Sequence, residues 1–264
     1  MREIDSVDEL KNIQLKIMDN VHSFCEDNGI RYFLAYGSLL GAIRHKGYIP
    51  WDDDVDIAMP RHDYDKFIDL YNKKSSVYKM VCFENDKSYE LPFGKVIDIR
   101  TKMIEPLYKQ NDYMGVYIDV FPIDAYVNKK QVEDAHRLRR ELNVKKAQLA
   151  KGRSLMKDCV LFLGKLFLWR KSVKSILHNI DSLCRSGNVE TASLVGYLPS
   201  LNKDFRDIIE KDTINKTCLA EFEGRKYRIP VGYDQYLRQQ YGDYMMYPPI
   251  EKRISTHIFK AWWK

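Results

Sequence analysis

Long apolar runs are missing from this 264-residue sequence. No stretch approaches the ~20 residues needed to cross a bilayer, and Met1-Arg2-Glu3-Ile4-Asp5 carries no signal-peptide core. Both absences predict a chain made and kept in the cytosol. Paired cysteines are missing too. Cys25, Cys82, Cys159, Cys184 and Cys218 are odd in number and scattered, with no C-x-x-C. That speaks against a disulfide framework and for buried thiols in a reduced compartment. The six histidines lack H-x-x-x-H spacing, which argues against a His/Cys zinc site. There is no internal repeat, no low-complexity linker, and no RNP, KH or helix-turn-helix signature.

What is present is the balance of a folded domain, with 45% hydrophobic and 30% charged residues. The length suits one large domain or a core with an inserted subdomain. The 18 tyrosines could serve ring stacking or a cation site as readily as packing. The net charge of +6 is uneven: His136 to Ser175 holds 12 Lys/Arg against 2 Asp/Glu. A basic middle on an otherwise acidic chain points to polyanions, either nucleic acid or an anionic membrane surface.

Ser6 with Glu9 forms a capping-box pattern, and Leu10, Ile13, Ile17, Val21 and Phe24 continue a helical stripe that Gly29 can end. Arg31 to Tyr36 reads as a strand, then Gly37-Ser38 as a turn and Leu39 to Lys46 as a short helix. Pro50 keeps Ile49 extended in a loop. Asp54 to Met59 reads as a second strand stopped by Pro60, and a helix follows from His62 to Tyr71. Further strands are predicted over Gly94–Ile99 and Gly115–Phe121. Gln131 to Leu183 is helical in pattern, and the end of the chain shows a short helix over Asp234–Gln240. The outline is an α/β (α+β) core with a mixed sheet over residues 1–128, a mainly helical basic insertion over 129–228, and a closing segment over 229–264 that packs back on the core.

Asp52-Asp53-Asp54-Val55-Asp56 puts four carboxylates in five positions, which repel unless something positive sits among them. Side chains at i and i+2 of a strand share a face. Asp54 and Asp56 therefore point one way while Val55 and Ile57 point into a core. Two such carboxylates, about 7 Å apart at the backbone, can converge on a hard divalent cation such as magnesium, which prefers oxygen ligands. A solvated acidic loop is the alternative. Gly37-Ser38, ahead of this strand, is placed to hold a phosphate on backbone N–H groups, with Gly permitting close approach. A Gly-Ser turn followed by Asp-x-Asp on a strand is the pattern of the nucleotidyltransferase fold.

The whole block from Tyr36 to Ile57, Tyr-Gly-Ser-Leu-Leu-Gly-Ala-Ile-Arg-His-Lys-Gly-Tyr-Ile-Pro-Trp-Asp-Asp-Asp-Val-Asp-Ile, closely resembles the signature of the LicD family, phosphocholine transferases with fukutin-type proteins as distant kin. Phe93 to Asp98, Tyr117 to Asp124, and Tyr233 to Leu237 leading to Tyr241–Met245 also match. The stretch from Lys129 to Lys226 carries little that matches.

The resemblance implies transfer of phosphocholine, or a similar phospho-alcohol, from a CDP-activated donor such as CDP-choline to a sugar hydroxyl of a cell-surface glycan such as teichoic acid or lipopolysaccharide. CMP leaves. It implies Mg2+ (or Mn2+) held by Asp54, Asp56 and a third carboxylate that can accept the hydroxyl proton. Asp119 is that carboxylate, with Asp124 as the alternative. Gly37 and Ser38 would bind donor phosphate. Lys95 is a point charge for phosphate or a solvated lysine, and Arg44 either reaches phosphate or suits the helix dipole. Asp52 and Asp53 would form a second shell. Trp51 could enclose a quaternary ammonium or pack in the core. The segment from Met156 to Leu177 mixes basic and apolar residues. It could lie on an anionic leaflet near a lipid-linked or polymeric acceptor, on the inner face of the membrane, or simply pack on the core. Two other functions remain open: nucleotidyl transfer from an NTP with release of pyrophosphate, and a catalytically idle nucleic-acid-binding module, which the missing motifs disfavour.

Overall fold

Ser6 opens the first long helix. Its hydroxyl accepts a hydrogen bond from the Glu9 N–H at 3.1 Å, satisfying a donor that has no partner inside the helix. Gly29 ends the helix at φ 60°, in the left-handed region that a side chain would strain. The computed structural model describes residues 1–75, 77–104, 114–147, 155–202, 204–254 and 260–264.

β1 (Arg2–Ile4) precedes this helix, α1 (Val7–Asn28), and β2 (Phe33–Leu34), α2 (Tyr36–Arg44), β3 (Asp56–Pro60) and α3 (Arg61–Lys74) follow. Next come β4 (Tyr78–Val81), β5 (Gly94–Asp98), β6 (Thr101–Ile104) and β7 (Tyr117–Ala125). Three helices, α4 (Lys129–Lys146), α5 (Leu155–Phe167) and α6 (Val173–Cys184), lead to the short strands β8 (Leu194–Gly196) and β9 (Ile208–Glu210). The chain closes with α7 (Asp212–Asn215), a hairpin of β10 (Thr217–Phe222) and β11 (Arg225–Pro230), then α8 (Tyr233–Tyr241) and β12 (Lys260–Trp263).

The central sheet runs β2-β3-β7-β5-β4, with β8 added to the end of β7 and β9 added to β8. β3 and β7 are parallel and the other pairs antiparallel, so the sheet is mixed and the core is α+β, as the sequence predicts. Strand alternation gives its two faces different work. Ile57, Met59, Val96, Ile118 and Val120 are buried, on the side packed by α1 and α3. Each such side chain contributes about 1.5–3 kcal/mol by leaving water. The opposite face carries Asp56, Asp119 and Lys95, which are cross-strand partners: Asp56 pairs with Asp119 and Lys95 with Asp119.

Three local differences from the sequence reading matter for the site. β3 begins at Asp56, so Asp54 lies ahead of the strand and not within it. One bond, from the Asp119 N–H to the Val55 carbonyl at 2.8 Å, carries the pairing a residue further. β2 is only two residues long, so the start of β3 is held on that side by the single bond from the Ala35 N–H to the Asp56 carbonyl. Gly37 and Ser38 fall inside the first turn of α2 and not in a turn before it, because Tyr36 takes φ 48° and reverses the chain one residue early. Between 129 and 228, where the sequence suggests helix, the described chain is helical to Cys184 and then forms β8 to β11. β8 and β9 have three residues each, too few to show a period. Residues 148–154, inside the expected helical stretch, lie outside the described residues. The tail forms a second sheet, β1-β12-β6, with the Trp263 indole N–H donating to Glu9 at 2.9 Å.

Candidate active site

Ser38 sets the position of the acidic strand. Its buried hydroxyl oxygen accepts the Asp56 N–H at 2.8 Å, tying the first turn of α2 to the first residue of β3. The Asp56 carbonyl accepts from Ala35 N–H at 3.0 Å. A Cβ on Gly37 would stand 2.7 Å from Asp52 Oδ2, so only glycine lets this carboxylate sit against the start of α2, where the helix dipole favours negative charge. The loop before the strand is held from two sides. Gln14 of α1 donates to the Asp53 carbonyl at 2.9 Å and accepts from the Tyr48 hydroxyl at 3.0 Å. From the far end of the sequence, the β10–β11 turn reaches in: Glu223 Oε1 accepts the Tyr48 N–H at 3.0 Å, and its own N–H donates to the Lys46 carbonyl at 2.8 Å. Glu223 and Gly224 take φ 53° and 70°, the left-handed pair that a two-residue hairpin turn requires.

The carboxylates press on one another. Burial, and then the carboxylates of Asp54, Asp119 and Asp52, push Asp56 well above the usual range, while Lys95 pulls it down. Lys95 is buried, its Nζ 2.5 Å from Asp119 Oδ1 and 3.2 Å from the centre of the Tyr117 ring. It is thus bound to the carboxylate nominated as third ligand. Asp54, Asp56 and Asp119 offer the hard oxygens a divalent cation takes. Among the described residues, no three His, Cys, Asp or Glu side chains are already gathered as a ligand shell. The mutual repulsion that raises Asp56 is what a bound cation would relieve, and in that respect the donor set fits one.

Other nominated residues are engaged elsewhere. Asp124 falls on the opposite face of β7 from Asp119 by alternation. It is buried and bidentate with Arg61, at 2.7 and 2.6 Å. Arg44 donates to the Tyr244 carbonyl at 2.7 Å and stands 4.8 Å from the Tyr247 ring, fastening the C-terminal segment to α2. Trp51 belongs to a ring cluster with His45 and Tyr247, at 6.3 Å from each. Arg253 lies 5.6 Å from Trp51 and 5.2 Å from Tyr247.

Sequence reasoning missed a second aromatic cluster beside Asp119. Phe121 follows Asp119 on the same face of β7, and Phe93 lies just ahead of β5, two residues before Lys95. Their rings are 4.6 Å apart. Tyr197 and Tyr36 cover Phe121 at 5.1 and 5.2 Å. Burial raises both phenols first; Tyr236, Asp207 and Asp56 then push Tyr36 up, while Arg139 pulls Tyr197 down against Cys184, Asp119 and Asp207. Asp207 is itself buried, accepting from Asn202 at 2.8 Å and Gln240 at 3.3 Å. Arg139 of α4 lies 5.8 Å from the Phe93 ring. Its Nε and Nη1, with the hydroxyls of Tyr197 and Tyr89, are buried without a hydrogen-bond partner among the described residues. Such orphaned donors are costly unless a ligand or water meets them. The i, i+2 spacing of Asp119 and Phe121 was the one available signal. Arg139, Tyr197 and Asp207 come from distant segments that only the fold brings together.

Comparison with known proteins agrees with this geometry. Residues 29–156 match the family described as LicD/FKTN/FKRP, nucleotidyltransferase domain. The lipopolysaccharide cholinephosphotransferase LicD of Haemophilus influenzae is 30% identical over 263 residues, covering 96% of this chain and 97% of that protein. Mouse ribitol 5-phosphate transferase FKRP is 34% identical over 98 residues, 37% of this chain and 17% of its own. An uncharacterised protein of Rickettsia typhi is 30% identical over 130 residues, 46% of this chain and 41% of that one. A match sustained along nearly the full length of both chains, on a mixed sheet that sets Asp56 beside Asp119, makes this protein a phosphotransferase and a member of the LicD family.

Proposed function

We propose that the protein moves a phospho-alcohol, phosphocholine in the first instance, from a CDP-activated donor to a hydroxyl of a cell-surface glycan such as lipopolysaccharide or teichoic acid, releasing CMP. The observation that carries this reading is the cross-strand trio Asp56–Asp119–Lys95, in which carboxylates outnumber the cation. Phosphoryl transfer of this kind asks a protein mainly for positioning and charge neutralisation. Asp54, Asp56 and Asp119 would hold Mg2+ or Mn2+, which supplies charge neutralisation at the donor pyrophosphate. The glycan hydroxyl oxygen attacks the phosphorus bearing the alcohol. The bond from that phosphorus to the CMP oxygen breaks, and CMP takes the electron pair. The hydroxyl proton passes to the Asp119 carboxylate. Lys95 and Arg139 add positive charge along the phosphates. Gly37 and Ser38 act through Asp52 and Asp56, by close approach and by the Ser38 hydrogen bond.

The alcohol head group belongs against Phe121, Tyr197 and Tyr36. A quaternary ammonium is stabilised over aromatic faces, and these rings lie within reach of Asp56, Asp119 and Asp207. The Trp51 cluster, by contrast, already holds two guanidinium groups. The protein would work in the cytoplasm, where CDP-linked donors are made, at the inner face of the membrane that presents a lipid-linked glycan. Measuring CMP release from CDP-choline, with and without EDTA, tests the reading. Full activity in chelator, or pyrophosphate release from an NTP in place of CMP release, would overturn it.

A further inference from the structure

α5 is apolar on more sides than it buries. One edge packs on α4: Leu161 is buried, and a Cβ on Gly164 would lie 3.1 Å from Val144 Cγ1. Leu168, in the turn that follows, is also buried. The remaining faces are open. Met156, Val160, Leu163 and Phe167 recur at i, i+4, i+7 and i+11, one row along a helix. Phe162, Leu166 and the following Trp169 form a second row. All seven are between 56% and 85% exposed. Contiguous apolar surface on this scale marks an interaction site.

Its surroundings say what kind. Residues 155–174 contain five Lys/Arg and one Asp. Lys171 is paired with Glu141 at 2.6 Å; Lys157 and Lys165 stand on α5 itself, Arg170 lies 5.9 Å from the Trp169 ring, and Lys174 is in the first turn of the next helix. The helix has 13 residues, about 20 Å in length, against a hydrocarbon core of about 30 Å. Among the described residues no helix is long and apolar enough to cross a membrane. We infer that α5 and Trp169 form a docking surface for an anionic phospholipid bilayer: the helix lies in the interface, its apolar rows sink below the headgroups, and its basic border meets lipid phosphates. A second copy of the chain fits less well, because a two-fold contact would set this basic border against itself. The docking surface stands on the patch itself, and the transfer reading adds only a use for it, access to an acceptor carried on a lipid.

The test is sedimentation of the full chain with phosphatidylcholine vesicles and with vesicles enriched in phosphatidylglycerol. The parent should bind the anionic vesicles at least tenfold more tightly, with binding falling as salt rises and Trp169 fluorescence shifting to the blue. Leu163→Asp with Phe167→Asp should abolish binding at an unchanged melting temperature. Lys165→Gln, Arg170→Gln and Lys174→Gln together should remove the preference for anionic lipid. Equal binding by parent and the Leu163/Phe167 variant, indifference to either vesicle, or a parent dimer that this variant splits would each overturn the inference. CMP release onto a soluble acceptor should be the same in all these variants, so failure of docking and failure of the transfer reading give different results.

Discussion

Two aromatic clusters lie near the carboxylates, and their neighbours give them opposite characters. Trp51, His45 and Tyr247 are capped by the guanidinium groups of Arg44 and Arg253. Phe121, Tyr197 and Tyr36 lie near Asp56, Asp119 and Asp207, so the cations on this side, Arg139 beside Tyr197 and Phe93 and Lys95 beside Phe93, share their rings with three carboxylates. Rings alone do not make a cation site. The sign of the charge behind them decides whether a further cation is welcome, and here it separates a structural clasp from a candidate substrate wall.

Removing the centre that the second cluster serves should have the largest effect. Asp56→Asn and Asp119→Asn should each lower the rate of CMP release on the order of a hundredfold or more, as loss of one preorganised electrostatic contact does. Wild-type rates in either variant would leave the cluster beside no active centre. Next, Arg139→Gln should weaken donor binding by about tenfold, since hydrogen bonds to charged groups are worth roughly 1.5–3 kcal/mol. Isothermal titration with CDP-choline measures this. Tyr197→Leu should raise the KM for a choline donor by several-fold, the loss of one ring among several, each cation–π contact being worth about 0.5–1 kcal/mol when exposed and about 2 when desolvated. Trp51→Leu should alter KM by less than about twofold, because its ring already faces the Arg253 guanidinium and not the donor. The reverse order would interchange the two clusters.

The smallest effect is on stability. In metal-free protein the raised Asp56 binds its proton more tightly folded than unfolded. Stability is therefore fully present below the ordinary Asp range, about 4, and is lost as pH rises through the raised value. Asp56→Asn removes that loss. It should melt about 2–4 °C above the parent at neutral pH for each kcal/mol relieved, with the gap closing in acid. Calorimetry across pH with EDTA present checks the sign.

The sequence made some of this visible and hid the rest for identifiable reasons. α1 announces itself because a cap, a stripe and a terminal glycine agree. Asp56 and Asp119 stand out because each interrupts a run of strand-forming apolar residues. The part played by Ser38 was hidden, since a Gly-Ser pair reads as a phosphate turn until the Asp56 N–H is seen to occupy its oxygen. Lys95 as the partner of Asp119 needed the β5–β7 register. Arg139, Tyr197 and Asp207 carry no local pattern, because their neighbours are remote in sequence. Asp124 stood as the alternative to Asp119, and alternation along β7 with the Arg61 pair puts it on the other face.

The clasp on the acidic loop bears on how the protein is made. Glu223 holds Tyr48 across 175 positions and Arg44 holds Tyr244 across 200. During synthesis the aspartates emerge early and wait, unclasped, until the last third of the chain arrives. Contacts this distant in sequence form late and slowly. A fragment ending near residue 156, where the family match stops, would contain Asp54, Asp56, Asp119 and the Gln14 tie, and still lack the Glu223 side of the clasp. Expressed alone, it should bind metal weakly and turn over nothing. Supplying residues 157–264 as a separate chain should restore activity only as fast as the two pieces find each other.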